Sequence, residues 1–358
     1  MKITLPKWYD LHVHVRQGTG MKAYVEAQIA MGCAGILAMP NTKPPVSRVF
    51  EKDSGEGWSI ESYRDMIRAA GGDAFSHIIV PLYLTKDTTP AMIEAGAKAG
   101  LLKACKYYPP HGTTNADHGR PLSDFMENGV IRAMEENGVV LCLHGEEHGL
   151  KGAAYFDATT NAEDYFYKNR MPVLREKFPD LKMVCEHITT RTAADFVKNA
   201  GPKTGATITP QHLLHTVGDL VQGLKYHLYC LPLVKFEQDR QALLAVVNDQ
   251  QNTRFFAGTD SAPHTTKATD CGCAAGCFTG GIAPQLYAQC FDLKEGHRKL
   301  EAFLCRNGAA FYDLPVPNET FTLIKEPQGV RPLTTEDGTV LPLPLGLGQT
   351  SLPWKIVL

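Results

Sequence analysis

DLHVHVR, residues 10–16, alternates polar and apolar side chains with a period of two. That is the period of a β-strand, and it predicts His12 and His14 on one face with Arg16 two residues further along it. Two imidazoles on an inward strand face are costly to bury unless neighbours or a divalent metal satisfy their nitrogens. Core histidines bonded to their neighbours are the plain alternative at this point.

Outward from this stretch, short apolar runs alternate with longer segments of helical period, the pattern of βα units and a parallel sheet. Eight runs read as strands: Asp10–Val15, Gly35–Met39, His77–Leu84, Leu102–Tyr107, Val139–Leu143, Lys182–Glu186, Gly205–Ile208 and Arg254–Gly258. Helices are predicted over Met21–Met31, Ile60–Ala70, Pro90–Ala99, Ser123–Asn137 on a Ser cap, Thr190–Asn199 on a Thr cap, and Gln238–Asn248. A chain of 358 residues has room for two ordinary domains or one large barrel. With no Gly-rich phosphate fingerprint after the first strand, a (β/α)8 TIM barrel over 1–314 fits better than a doubly wound sheet. The Pro- and Gly-rich remainder, 315–358, reads as a short irregular C-terminal appendage packed on the barrel.

The 36 Lys+Arg balance 38 Asp+Glu to a net charge of -2, which argues against a nucleic-acid partner. No apolar stretch has the length of a membrane span or the form of a signal core, so a cytosolic location is expected, with small molecules or protein surfaces as partners. Cys33, Cys105, Cys142, Cys185 and Cys230 sit in apolar runs and read as buried thiols. Cys271, Cys273 and Cys277 form a C-x-C-x3-C run without the paired spacing of a structural zinc site, and read as a packed loop.

Barrel enzymes carry their active sites at the carboxyl ends of the strands. There the sequence places His12 and His14 on strand 1, Lys106 on strand 4, His144 on strand 5, His187 on strand 6 and Asp260 on strand 8, six potential ligands at one mouth. An ammonium among metal ligands is repelled by the ion. A neutral Lys106 amine can instead add carbon dioxide, releasing a proton, and the resulting carbamate has two oxygens with which to bridge two metals. A lysine paired with a carboxylate is the alternative.

Ten fragments in order carry a resemblance: DLHVHVR (10–16), MPNTKPP (39–45), ACKYYP (104–109), GTTN (112–115), LHGE (143–146), EHITT (186–190), TPQHL (209–213), YCLPLVK (229–235), GTDSAPH (258–264) and CGCAAGCF (271–278). With them the chain resembles the amidohydrolase superfamily and, within it, the shorter stand-alone dihydroorotases. The resemblance implies two zinc ions, one on His12, His14 and Asp260 and one on His144 and His187, bridged by carboxylated Lys106 and a hydroxide. It implies that Arg16, Asn41 and His264 hold a substrate carboxylate, and that main-chain groups of Leu231 and Ala275 meet a pyrimidine ring. The family usually has one Ala where this chain has Ala274 and Ala275, which leaves that register open. Thr113 and Thr114 match a loop that closes over substrate, with a plain surface loop as the alternative.

The implied reaction is the reversible cyclisation of N-carbamoyl-L-aspartate to L-dihydroorotate, with Asp260 as proton carrier in a cytoplasmic homodimer. Hydantoinase or allantoinase chemistry, or an inactive barrel kept as a binding scaffold, are the competing readings. All six ligand positions being filled speaks against the scaffold.

Overall fold

The computed structural model describes residues 1–270, 272–294 and 296–358. Cys271, and with it part of the C-x-C-x3-C run, lies outside the described residues.

Eight strand positions run parallel around the molecule. They are β1 (Trp8–Val13), β2 (Cys33–Ala38), β3 (His77–Ile79, continued by Leu82–Tyr83), β4 (Ala104–Tyr107), β5 (Val140–His144), β6 (Met183–Glu186), β7 (Thr204–Ile208) and β8 (Phe255–Ala257). β3 is interrupted at Val80 and Pro81, and proline has no N–H to give a sheet ladder. The ring closes where Asp260 N donates to His12 O at 2.8 Å and His14 N to Ser261 O at 3.1 Å. The fold is a TIM barrel with its tail packed alongside.

The register of β1 against β2 shifts between Asp10 and Val13. A strict period of two therefore fails over DLHVHVR. β1 starts at Trp8 and ends at Val13, two residues earlier than expected at each end, and Leu11 joins the interior apolar layer while His12 reaches the mouth. On β4, β5 and β6, Ala104, Cys142 and Val184 share that layer and precede Lys106, His144 and Glu186 by two residues. The floor of the site is thus a set of buried aliphatic and thiol side chains, and the polar groups stand on it.

The expected helix over 123–137 is two helices, α1 (Leu122–Glu127) and α2 (Val130–Glu136). Gly129 between them has φ 86, and Pro121 rather than a serine stands at the start. A left-handed glycine ends helical propagation, and no period in the side chains reveals it. The Thr190 cap forms as expected, its hydroxyl accepting from Ala193 N at 3.1 Å at the head of α3 (Arg191–Asn199).

The tail holds more regular structure than its proline and glycine content suggests. Thr320–Ile324 pairs antiparallel with both Lys2–Pro6 and Lys355–Val357, and Leu333–Thr335 pairs with Gly338–Val340. Between these last two strands, Asp337 accepts from the Thr19 hydroxyl at 2.5 Å and Gly20 N at 2.9 Å, just beyond Arg16. No helix among the described residues is long and apolar enough to cross a membrane.

Candidate active site

Strand ends bring four imidazoles into one row. Ring centroids are 5.6 Å apart for His14 and His12, 4.8 Å for His12 and His187, and 4.8 Å for His187 and His144. Asp260 closes the row at the β8 side, its Oδ1 lying 2.9 Å from His14 Nε2 and 3.5 Å from His12 Nε2. Among the described residues, His12, His14 and Asp260 form a group of buried ligand atoms within 4.8 Å of one another. Lys106 is wholly buried, and its Nζ sits 4.9 Å from the Tyr108 ring.

Two further carboxylates shape the row. Glu186 Oε2 accepts from His12 Nδ1 at 2.7 Å and from the Thr207 hydroxyl at 2.6 Å, which leaves His12 Nε2 facing Asp260. A carboxylate behind a histidine fixes its tautomer and raises its basicity toward a metal. Asp10 accepts from Thr259 N at 2.9 Å and the Thr259 hydroxyl at 2.6 Å, locking the residue before Asp260. Neither role is legible in sequence, since Glu186 stands beside His187 on a strand and alternation alone would send the two side chains to opposite faces. The structure resolves this with a left-handed backbone at His187 (φ 41). Arg16 (φ 57) and Asp260 (φ 47) are left-handed too, and such conformations in side-chain-bearing residues cost about 1–3 kcal/mol each and gather at functional sites.

Electrostatics in the row follow from burial. Burial, then the Lys106 charge, holds His12 and His187 well below the usual histidine range. Burial also lowers Lys106, against the attraction of Glu186 and Asp260. Burial alone would raise Asp260, but the His14 hydrogen bond and the nearby positive charges bring it down to about 2. His12, His14 and His187 are thus held toward the neutral ring beside an ionised Asp260, the protonation states a divalent ion needs. Lys106 Nζ and His187 Nδ1 are buried with no hydrogen-bond partner among the described residues, as expected of atoms that a bound group would satisfy. The residues present fit a metal.

Above the row lies a narrow cavity lined by His14, Arg16, Asn41, Thr113, Thr114, Leu231, Asp260 and Ala275. The 113–115 loop is seated over it. Asn41 Nδ2 donates to Thr114 O at 2.9 Å, Asn115 Nδ2 to Asn41 O at 3.0 Å, and the Thr114 hydroxyl to Ala275 O at 3.3 Å. His264 lies at its edge, with Nε2 2.8 Å from Ala275 O and 3.3 Å from Arg16 Nη2. One ring nitrogen cannot serve both. The neutral ring donates Nε2–H to the carbonyl, so the guanidinium hydrogens stay available to an anion. A wider hollow lies beside α1, but there His148 and Arg170 are both already paired with Glu147.

Relatives match the chain over nearly its whole length. A dihydroorotase of Picosynechococcus is 40% identical over 99% of this chain and 98% of its own, and one of Halorhodospira halophila is 39% identical over 99% and 98%. The chain belongs to the dihydroorotase family. Its fold matches the Saccharomyces cerevisiae dihydroorotase solved with 5-fluoroorotic acid, at TM-score 0.86 and 27% identity over 99% of this chain and 98% of that one. An Arthrobacter aurescens L-hydantoinase shares the fold alone, at TM-score 0.70 and 16% identity over 92% and 78%. No protein-family profile matches. As a dihydroorotase-family member the chain is a cyclic amidohydrolase, and the row of histidines with Asp260 is its candidate metal centre.

Proposed function

We propose that this enzyme interconverts N-carbamoyl-L-aspartate and L-dihydroorotate, using two zinc ions held in the histidine row. His12, His14 and Asp260 would hold one ion and His144 and His187 the other, with Lys106, carboxylated on Nζ, between them. A metal pair supplies Lewis acidity and a bound water of lowered pKa. Asp260 takes a proton from the attacking water and delivers it to the leaving ring nitrogen, so one carboxylate acts as base and then as acid. Both histidines address Oδ1, and Oδ2 is the oxygen left to carry that proton. Arg16, with Asn41 and His264 beside it, receives the substrate carboxylate in a bidentate fork. Main-chain groups of Leu231 and Ala275 meet the ring, and Thr113 and Thr114 cover it.

The observation that carries this reading is the single cavity in which Arg16, Asn41, Leu231, Ala275 and both threonines meet His14 and Asp260. A cytosolic homodimer, a catalytic barrel over 1–314 and an extension over 315–358 belong to the same reading. So does a small-molecule substrate, with neither nucleic acid nor membrane as partner. Turnover measured side by side on dihydroorotate, hydantoin and allantoin tests it. Preference for dihydroorotate is expected, and faster turnover of either of the others overturns the substrate assignment.

A further inference from the structure

We propose that Lys267, which does not line the cavity, is the positioning residue that shapes its ring-binding wall. Its side chain is 7% exposed, and Nζ donates to Tyr229 O at 2.7 Å, to Gly276 O at 2.6 Å and to Ala274 O. An ammonium has three hydrogens, and all three are used on main-chain carbonyls. These carbonyls come from two separate loops, one leading into Leu231 and one flanking Ala275. Gly276 N returns a bond to Tyr229 O at 2.9 Å, so the two loops are tied directly as well as through the cation.

The consequence lies in how the three successive carbonyls of 274–276 divide between Lys267 and the cavity. With the carbonyls of Ala274 and Gly276 turned toward Lys267, the carbonyl of Ala275 turns the other way. It meets His264 Nε2 at 2.8 Å and the Thr114 hydroxyl at 3.3 Å, on the cavity side. Gly276 allows this close approach, because a Cβ there would lie 2.6 Å from Ala262 Cβ and 2.9 Å from His264 Nε2. Lys267 therefore sets which main-chain groups face a ligand. The ligand class that fits such a wall is a ring edge presenting amide N–H and C=O groups, recognised by backbone rather than by side chains. Without the cation, Tyr229 O keeps only its bond from Gly276 N, the Ala274 and Gly276 carbonyls lose the Lys267 donor, and the loops are no longer held in this arrangement.

The proposal rests on the dihydroorotase reading for its ligand but not for its loop geometry, and its test separates the two. Metal-loaded full-length wild type and Lys267→Met are compared in binding of 5-fluoroorotate, in KM and kcat for dihydroorotate, and in ligand-free hydrogen exchange over 272–276. The variant should raise Kd and KM at least about tenfold, change kcat by less than about threefold, keep its metal, and exchange faster over 272–276. Lys267→Arg, which keeps a donor cation in place, should recover part of both losses and serves as the readout where the methionine variant does not fold. Unchanged Kd and KM, or a fall in kcat alone, overturns the proposal. If the wild type does not turn over dihydroorotate, the functional reading fails while the exchange comparison still decides the role of Lys267.

Discussion

His14 Nε2 lies 2.9 Å from Asp260 Oδ1, joining the residue after the first barrel strand to the loop after the last by a side-chain contact across the barrel closure. The proposed reaction asks Asp260 to do two things, to take part in metal binding and to move a proton. Asp260→Asn separates them, since the amide keeps an oxygen toward His14 but has no basicity. Zinc content is expected to stay near wild type while kcat falls by about 10²–10⁴-fold, the usual contribution of a general acid–base group. Near-normal turnover in the variant would refute the proton-carrying role.

Lys106 is expected to control the metal count. Its Nζ is buried without a partner among the described residues, and only a modified amine offers oxygens to two ions. Lys106→Ala should bind no more than one zinc per chain and lose dihydroorotate turnover. Intact-mass measurement of native wild type should show the added mass of one carbon dioxide, absent from the variant. Undiminished zinc in the variant would argue against the bridge.

The strand ends that carry the candidate ligands were legible because barrel geometry converts position along a strand into position in space. His144 ends β5 and His187 follows β6, so identifying the strands located both. The supporting residues were not legible. Glu186 reaches His12 across the barrel interior, a contact separated by 174 positions that no local period encodes. Lys267 was invisible for a related reason: all its partners are main-chain carbonyls, whose directions depend on backbone turns rather than on side-chain type. The break at Gly129 shows the same limit, since a helix-length run of suitable residues does not announce one left-handed glycine.

Glu163 buttresses the segment that carries His187. Its two oxygens accept from Thr189 N at 2.8 Å, Thr190 N at 3.0 Å, the Thr190 hydroxyl at 3.0 Å and the Thr189 hydroxyl. The Thr190 hydroxyl in turn caps α3, so one carboxyl group orders both the His187 loop and the next helix. Glu163→Ala would leave two backbone donors and two hydroxyls buried without an acceptor, at a cost of about 3–5 kcal/mol. Glu163→Gln retains one acceptor oxygen and should recover a good part of that loss. Denaturant midpoints of the three proteins, with zinc content at each, check the order. Equal stability of wild type and alanine variant would remove Glu163 from this role.

His264 is expected to make stability depend on pH in a defined window. Burial, then the neighbouring Arg16 charge, lowers its pKa to about 3 from an ordinary 6.5. Between those values the unfolded chain carries a proton on this ring and the native protein does not. Stability therefore rises with pH through the window and is lost on acidification, by up to about 1.4 kcal/mol per pH unit from this residue. In going from about pH 7 to about pH 5, wild type should lose at most about 2 kcal/mol more than His264→Gln, in which no ring can take the proton. Groups common to both proteins cancel in the difference, which is why the comparison reads this residue alone. Reversible denaturant unfolding at the two pH values measures it, and equal losses in the two proteins would show that the His264 ring is not held neutral beside Arg16.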